Sequence, residues 1–589
     1  MIVSAAGLDS DEITVYLNDS MFRHQRIGGS MPPDWDGRRF PWPFDPLAGE
    51  LVPGTSTYAA LDDRRTELQT VVCRRIQTRW GAFYEGNLTS FETPGIYALE
   101  TQSGMSVPFE IWERTYDRLL RGYLVSTNAQ RSSDEVAGVR DSDYEDDAVR
   151  DSDGLQMPAA GGWFDAGDAR KWTDSTVIHL GALSMLVKHG PKLLAAAAES
   201  ELEWGRDYFL HIAAESGQVP DNIAAGSLPP GFDMSTWWFE NHSGTALDGS
   251  GSVPTDGIPG TGDERRALMD VNAHAQFLFI REHAEAALAG HPVRRARSRV
   301  IAERAWRFIE ETGHDGRTLF VACEVRAAAA LARLVKPSVS LDRVADAARA
   351  CLALQVRERP AEDDGLFGFF METERSDGFR SIGFSCEPAL ALLDAARVLG
   401  PDHELYRVCI DGVTSYIDDY LLADAKSNPF GLPPYGIYRE PLYEDRQTFR
   451  PAGGGLKVRT FIAPWNRDSI APGGAGVVMH QAYLLARAGR TLERADWSAA
   501  AERLLQWVTG SNPQGLSLCT GIGSRHPVAF STRTLKVPEA MVAGHIGLPD
   551  DSPYLATSNA VEWNTQEIWG VSFVYATQAI LWLTSADPD

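Results

Sequence analysis

Helical periodicity runs through the chain from about residue 113 to its end, and it limits the folds that the chain can adopt. Apolar residues recur there at every third or fourth position, as at Val177, Leu180, Leu183 and Leu186, which places them on one face of an α-helix. The windows with this pattern are 114–124, 177–188, 202–216, 266–288, 294–312, 324–335, 343–354, 388–399, 404–422, 476–489, 495–509 and 567–584. Because no strands alternate with these windows, we expect a mainly α domain built as a ring of helical hairpins, an (α/α)6 toroid.

The first part of the chain has a different pattern. Residues 12–17 alternate between polar and apolar side chains, and 68–76, 95–99 and 107–111 have the same β character. Clusters of Pro and Gly separate these runs, as turns separate strands. A chain of 589 residues is also too long for one ordinary core. The sequence therefore predicts a small all-β sandwich over 1–112 and the helical toroid over 113–589.

The charge of the chain restricts its partners. It carries 80 Asp and Glu residues against 55 Lys and Arg, a formal charge of −25. Such a charge disfavours nucleic acid and anionic membranes, and it is compatible with a neutral polysaccharide. No apolar run resembles a signal peptide or a membrane span, and the six cysteines are scattered, as in a reducing compartment. We expect a cytoplasmic protein, or a secreted one if an export signal was trimmed.

Two carboxylates stand three residues apart in a Gly-rich turn at 161–172, Gly-Gly-Trp-Phe-Asp-Ala-Gly-Asp-Ala-Arg-Lys-Trp. In a helical or nearly helical turn, Asp165 and Asp168 point the same way and place two acceptors around one small target such as a water. The neighbouring aromatic rings, Trp163 among them, are of the kind that stack on sugars. The residues alone fit two interpretations equally: the floor of a sugar-cleaving site, or a surface Asx turn ahead of a helix.

The segment Gly-Trp-Phe-Asp-Ala-Gly-Asp at 162–168 resembles the signature of glycoside hydrolase family 9, which contains many endoglucanases. The block at 511–523, followed by Arg525-His526-Pro527, resembles a second segment of that family. The resemblance implies an (α/α)6 toroid in which Asp168 is the general base and Asp165 helps to hold the attacking water. It also implies sugar contacts from His526, with Arg525 as a further candidate, and an immunoglobulin-like N-terminal module.

The general acid is harder to place, because the C-terminal segment departs from the family pattern. The family has an Asn-Glu pair with an Asn six residues after the Glu, whereas residues 558–570 read Ser-Asn-Ala-Val-Glu-Trp-Asn-Thr-Gln-Glu-Ile-Trp-Gly. We expect Glu562 to be the acid, since the apolar bulk of Trp563 would raise the pKa of its carboxyl. Glu567 is the alternative, although a position inside a helix would restrict its reach. A third possibility is that no proton donor remains.

Two long loops, 229–263 and 428–472, combine Gly and Pro with many aromatic residues. Connections of this length in a compact domain are usually functional or disordered, and aromatic density argues against disorder. We expect cleft walls with stacking platforms, while the same aromatics could equally pin the loops to the body. The residues predicted to bind substrate are Trp163, Trp238, His526, Arg525, Tyr435 and Trp563.

Taken with the resemblance, these residues predict an inverting hydrolase of β-glycosidic bonds. Inversion requires the acid and base carboxyls to lie roughly 6.5–9.5 Å apart. The resemblance implies β-1,4-linked glucose or glucosamine units in an oligosaccharide or polysaccharide. The alternatives are a non-catalytic carbohydrate-binding homologue and a polysaccharide lyase on an α/α toroid. No cofactor or catalytic metal is expected, the Asp clusters permit structural calcium, and the oligomeric state is left open.

Overall fold

The structure is a computed structural model, which describes residues 2–4, 10–19, 67–102, 104–106, 108–135, 142, 144–224, 256–262, 264–289, 292–360, 365–373, 377–464, 473–529, 537, 539–557 and 562–586. The chain divides into two compact units. The smaller contains residues 1–115 with 523–525, and the larger contains 116–522 with 526–589. The predicted boundary after residue 112 stays a prediction, as does the domain organisation that it implies.

The smaller unit is a β unit in which the described strands form one antiparallel sheet. The strands are β1 Ile2–Ser4, β2 Glu12–Asp19, β3 Glu67–Thr78, β4 Gly81–Glu85, β5 Gly95–Thr101, β6 Gly104–Met105 and β7 Phe109–Ile111. Their order is β1-β4-β3-β2-β5-β6, and β7 also pairs with β5. Alternate residues of β2 and β3, such as Val15 and Cys73, pack on one face, as the alternating pattern predicts. The all-β character is confirmed, while the immunoglobulin-like arrangement stays a prediction.

Helices dominate the larger unit. They are α1 Asp117–Ala129, α2 Thr173–Val177, α3 His179–His189, α4 Ala195–Phe209, α5 Ala273–Leu288, α6 Pro292–Thr312, α7 Thr318–Ala332, α8 Leu341–Ala353, α9 Glu387–Leu399, α10 Glu404–Ser415, α11 Leu422–Ala425, α12 Ala475–Thr491, α13 Ala495–Val508, α14 Trp563–Gln566 and α15 Gly570–Thr584, with a π-helical segment at Tyr416–Leu421. Two helices begin earlier than the periodicity predicts, because the alanines at 195–198 favour a helix without producing an amphipathic pattern and Thr318 starts a helix that is buried on most sides.

The long helices form two concentric layers. The inner helices contact one another in the closed order α3, α5, α7, α9, α12, α15 and back to α3. Each inner helix also packs against one outer helix, in the pairs α3 with α4, α5 with α6, α7 with α8, α9 with α10, α12 with α13 and α15 with α1. The inner helices are buried on nearly every side, which explains their weak amphipathicity. This arrangement is the predicted ring of helical hairpins.

Buried ion pairs connect the inner helices. Arg326 on α7 donates to both carboxylate oxygens of Glu387 on α9, at 2.8 and 2.7 Å, and to Asp394 at 2.9 Å. Burial raises the pKa of Glu387, but the guanidinium groups outweigh it and hold the pKa at about 2. Pairing is the condition under which charges can be buried at all, so these contacts fix the alignment of α7 and α9.

Short strands lie in the connections between helices of the larger unit. They are β8 Val149–Arg150, β9 Lys171–Trp172, β10 Asn222–Ala224, β11 Arg266–Leu268, β12 Gly436–Tyr438, β13 Arg450–Gly453, β14 Leu456–Arg459, β15 Ile546–Gly547 and β16 Pro553–Tyr554. Four of them form a sheet in the order β8-β11-β10-β9, which joins the connection between α1 and α2 to the connection between α4 and α5. Within the described part of the chain, every helix is too short or too polar to cross a membrane.

Candidate active site

The Gly-rich turn adopts a backbone that its glycines make possible. Gly161 and Gly162 have φ values of +88° and +72°, a region that residues with a Cβ rarely occupy. A Cβ on Gly162 would lie 2.8 Å from the ring of Tyr208, so the turn also approaches α4 closely. After the turn, Arg170 closes a small loop, since Asp165 donates its N–H to the Arg170 carbonyl at 3.1 Å and Asp168 Oδ1 accepts the Arg170 N–H at 3.1 Å.

The Trp163 side chain fixes this turn to α4 and does not face a ligand. Its side chain is fully buried, and its indole N–H donates to Glu201 Oε2 at 3.2 Å. A Cβ on Gly205 would overlap its ring, so the glycine on α4 makes room for the indole. The prediction that Trp163 stacks on a sugar is therefore corrected: a ring enclosed in this way has no free face, and it positions the two aspartates instead.

The C-terminal segment before α15 pairs with the Gly-rich turn through the backbone. Gly570 donates its N–H to the Asp165 carbonyl at 2.9 Å, and Trp569 pairs with Ala166 in a β-bridge. On the other side, the Glu567 carbonyl accepts the N–H of Ala543 at 2.7 Å. Residues 567–569 are therefore held between two other segments, and Glu567 itself has extended backbone angles (φ −62°, ψ 137°).

Three carboxyls from these two distant parts of the chain share one buried site. Asp165, Asp168 and Glu567 are 6, 9 and 8 % exposed. The pKa of Asp165 is raised well above its ordinary value, first by burial and then by the charges of Asp168, Glu567 and Asp174. Burial and the charge of Asp168 likewise raise the pKa of Glu567 well above its ordinary value, against the effect of a hydrogen bond from the Gly167 N–H. The charges of these carboxyls therefore act on one another, and each charge disfavours the ionisation of its neighbours.

The structure places Glu567, rather than Glu562, beside the aspartates. Glu562 is half-buried, accepts the hydroxyl of Tyr554 at 2.7 Å and donates its N–H to Gln566 Oε1 at 2.9 Å. The sequence argument against Glu567 assumed that it lies inside the last helix. That helix begins only at Gly570. Glu567 therefore precedes the helix, and the helix does not fix the direction of its side chain.

The other predicted binding residues have varied surroundings. Tyr435 is 4 % exposed and packs in an apolar cluster with Tyr438, so its prediction as a stacking platform is corrected to a core position. His526 is half-buried, with Nδ1 3.0 Å from the Pro527 carbonyl. Arg525 is exposed and Trp563 is half-buried, and their roles, like that of His526, stay predictions. Trp238 lies outside the described residues.

Two further acidic residues near the Gly-rich turn were not predicted from the sequence. Asp174, at the start of α2, accepts a hydrogen bond from His274 Nδ1 on α5 at 3.1 Å. Asp221 lies at the start of β10, where its carbonyl accepts the N–H of Thr173 at 3.0 Å. Asp174 stands only six residues after Asp168 in the printed sequence. Its nearness to the turn was a usable signal, whereas Asp221 is brought in by strand pairing, which no local pattern reveals.

In the described ranges, no three or more His, Cys, Asp or Glu side chains are arranged to hold a metal ion, and structural calcium stays a prediction. All six cysteines are buried and free, and burial raises the pKa of the Cys386 thiol to about 12. Buried, protonated thiols of this kind are small apolar side chains.

Residues 116–289, which include the Gly-rich turn, match the family model "Glycosyl hydrolase family 9". The chain resembles glycosyl hydrolase family 9. The match, which covers less than half of the chain, confirms the predicted resemblance and agrees with the predicted class of glycoside hydrolase. No curated protein sequence matches the chain.

Solved structures of family 9 enzymes share the fold. A metagenome-derived glycoside hydrolase family 9 endoglucanase is 16 % identical, with a TM-score of 0.64 over 99 % of this chain and 94 % of its own. The D468A mutant of a thermostable endoglucanase from Alicyclobacillus acidocaldarius is 15 % identical, with a TM-score of 0.64 over 98 % and 96 %. AaCel9A in complex with cellobiose-like isofagomine is 15 % identical, with a TM-score of 0.63 over 97 % and 95 %. These likenesses confirm the predicted fold class.

Proposed function

We propose that this chain hydrolyses β-1,4-linked glucan or a related β-linked oligosaccharide with inversion at the anomeric carbon. The observation that carries the proposal is the buried group of Asp165, Asp168 and Glu567, because inverting hydrolysis needs one carboxyl that donates a proton and another that removes one. The turn supplies two of these carboxyls, and the segment before the last helix supplies the third. Their joint burial favours unequal protonation, which separates an acid from a base.

Asp168 is the general base in this proposal. It removes a proton from a water molecule while the water oxygen forms a bond to the anomeric carbon, on the face opposite the departing sugar. Asp165 holds the water from the other side. Its raised pKa keeps Asp165 towards the protonated form, in which it donates a hydrogen bond without competing for the proton of the water.

Glu567 replaces Glu562 as the proposed general acid. A raised pKa keeps its proton in place until the glycosidic oxygen takes it as the bond to the anomeric carbon breaks. The proton lost by water to Asp168 balances the proton given by Glu567, so each turnover adds one water across the bond. Glu562 is hydrogen-bonded to Tyr554 at the start of α14 and has no catalytic role in this proposal.

Two observations support the proposed substrate class. AaCel9A has been solved with cellobiose-like isofagomine, and the net charge of −25 favours a neutral or cationic saccharide over a polyanionic one. A polysaccharide lyase, the rival prediction, abstracts a proton next to a uronate and would need a basic site, whereas this site is acidic. A non-catalytic binding protein would not require a buried acid and base in one place.

The test is an activity assay on defined β-1,4-linked tetrasaccharides, with product lengths read by chromatography. We expect reducing ends to appear with the intact enzyme and to be lost in Asp168→Asn. Absorbance from a new carbon–carbon double bond would instead support a lyase. Calorimetric binding without product from any of the saccharides would support the non-catalytic alternative. Either result would contradict the proposed function.

A further inference from the structure

The outer helix α6 carries charges that oppose its own backbone dipole. Its first eight residues read Pro-Val-Arg-Arg-Ala-Arg-Ser-Arg, and its last four read Ile-Glu-Glu-Thr. No acidic residue lies in the first turn, and no basic residue lies in the last. The dipole of a helix favours the reverse, with acidic groups at the N-terminus and basic groups at the C-terminus. The charges at the two ends of α6 therefore do not stabilise this helix.

Four exposed charges on α6 are not used by the fold. Two are basic and two are acidic, and within the described part of the chain they form no ion pair: Arg297, Arg307, Glu310 and Glu311. Other charges of the helix are paired, since Arg294 contacts Glu203 on α4 and Arg299 donates to Glu303 at 2.8 Å. The same helix thus presents unused charges of both signs to the solvent.

The outward face of α6 also exposes aliphatic side chains. Val293 and Val300 are 71 and 60 % exposed, and Ala296 between them is exposed as well. With Arg307, these residues follow one another at intervals of three, four and seven, so they lie along one line of the helix surface. This line contains no aromatic ring, which argues against saccharides or nucleic acid bases as its ligand.

The charge pattern of α6 is complementary to itself in the antiparallel direction. Arg297 and Glu311 are each seven residues from Arg304, and Glu303 and Arg307 lie on either side of it, nearer the centre. In two antiparallel copies of α6 related by a two-fold axis near Arg304, Arg297 lies opposite Glu311. Arg307 likewise lies opposite Glu303, and the symmetry forms each contact twice. Arg304, which is half-buried, meets its own copy at the centre, and this is the repulsive contact of the arrangement.

We propose that the outward face of α6 is the contact surface of a symmetric homodimer, in which the α6 helices of two copies pack antiparallel. The occupant of this face is a second copy because the unused charges have both signs. An anionic lipid surface or an acidic protein would attract the arginines and repel the glutamates of the same face. An antiparallel α6 attracts both, and it brings the acidic end of each helix towards the N-terminal half of the other, as the dipoles favour.

The proposed contact is separate from the catalytic carboxyls. Asp165 and Asp168 precede the inner helix α3, and Glu567 precedes the inner helix α15, whereas α6 is an outer helix that packs on α5. We therefore expect kcat per chain to be the same in monomer and dimer. The dimer is also independent of the proposed function, so a failure of either leaves the other in place.

The experiment is sedimentation velocity of the full chain over a range of concentrations, at about 0.1 M salt, where charges more than about 10 Å apart are screened. We expect a monomer–dimer equilibrium. Arg297→Glu should weaken the dimer by about tenfold or more, because it turns an attractive contact into a repulsive one twice in each dimer. Arg407→Glu is the control: it makes the same change on the outer helix α10, where the side chain is 79 % exposed, and should leave the equilibrium unchanged.

A second variant distinguishes this arrangement from any other dimer. Glu311→Arg alone should weaken the dimer as Arg297→Glu does, and the double variant should restore it to within about threefold. A mixture of the two single variants should also dimerise, because every glutamate at one position then faces an arginine at the other. Fluorescent labelling of one variant makes this mixed dimer visible, and thermal melting shows that each variant is folded.

Three outcomes would overturn the inference. One is a chain that stays monomeric at every concentration. Another is a dimer that Arg297→Glu does not weaken, which would place the contact on a different surface. The third is a loss that neither the double variant nor the mixture restores, which would mean that Arg297 does not face Glu311. Binding of the monomer to vesicles of anionic phospholipid, lost in Arg297→Glu, would assign the arginines to a lipid surface and would also reject the dimer.

Discussion

Glu567→Gln is expected to lower kcat on an unactivated β-linked oligosaccharide by roughly 10²- to 10⁴-fold, the usual contribution of a general acid. The amide keeps the shape of the side chain and cannot give a proton to the departing oxygen. With a 2,4-dinitrophenyl β-glycoside, whose leaving group needs no proton, the variant should stay within about tenfold of the intact enzyme.

Glu567→Gln should also flatten the alkaline side of the pH profile of kcat/KM. Glu567 acts in its protonated form, so kcat/KM of the intact enzyme falls as the pH rises through its raised pKa.

Glu562→Gln is the matched control for this variant. It makes the same chemical change five residues earlier, where the carboxyl accepts the Tyr554 hydroxyl. We expect activity on both substrates within about tenfold of the intact enzyme, because this carboxyl gives no proton to the leaving group. The reverse pattern, with Glu562→Gln inactive on the natural substrate and Glu567→Gln active, would return the acid role to Glu562.

Asp168→Asn is expected to lower kcat by a comparable factor, roughly 10²- to 10⁴-fold. The amide cannot take a proton from water, while the intact Glu567 still protonates the leaving group. Added azide should therefore restore turnover, because azide attacks without losing a proton, and the product from a β-linked substrate should be an α-glycosyl azide. Asp402→Asn, at an exposed residue outside the site, makes the same change of charge and serves as the control. Activity of Asp168→Asn within tenfold of the intact enzyme, or a β-glycosyl azide as product, would remove Asp168 from the role of base.

The ring of helices was accessible from the sequence because its signal is local. The spacing of Val177, Leu180, Leu183 and Leu186 depends on one helix and its own core face. Boundaries were less accessible. The alanine run at the start of α4 carries helix propensity without an amphipathic pattern, so the predicted window begins at 202 and the helix at Ala195.

Only the part of the candidate site that lies in the Gly-rich turn was predictable from the sequence. Asp165 and Asp168 belong to one turn, so a short segment reveals both, whereas the acid depends on pairing between distant segments. Glu567 faces the aspartates because the backbone of residues 567–570 pairs with Asp165, Ala166 and Ala543, and this pairing delays the start of α15. Helical periodicity extends through the same residues and conceals that delay.

Aromatic residues show the same limit. Trp163 and Tyr435 have the side chains that sugar sites use, and composition alone does not tell a stacking platform from a core residue. Whether such a ring is a stacking platform or a core residue depends on the side chains that surround it, which are remote in sequence. Glu201 and Gly205 on α4 receive the Trp163 indole, and an apolar cluster encloses Tyr435. The cytoplasmic location stays a prediction.

The most direct measurement is proton NMR of the first product formed from a β-1,4-linked tetrasaccharide, recorded before mutarotation mixes the anomers. Asp168 and Glu567 acting on opposite faces of the sugar must give the α anomer at the new reducing end. A β anomer as the first product would mean retention through a covalent intermediate, and that result would contradict the roles assigned to the three buried carboxyls.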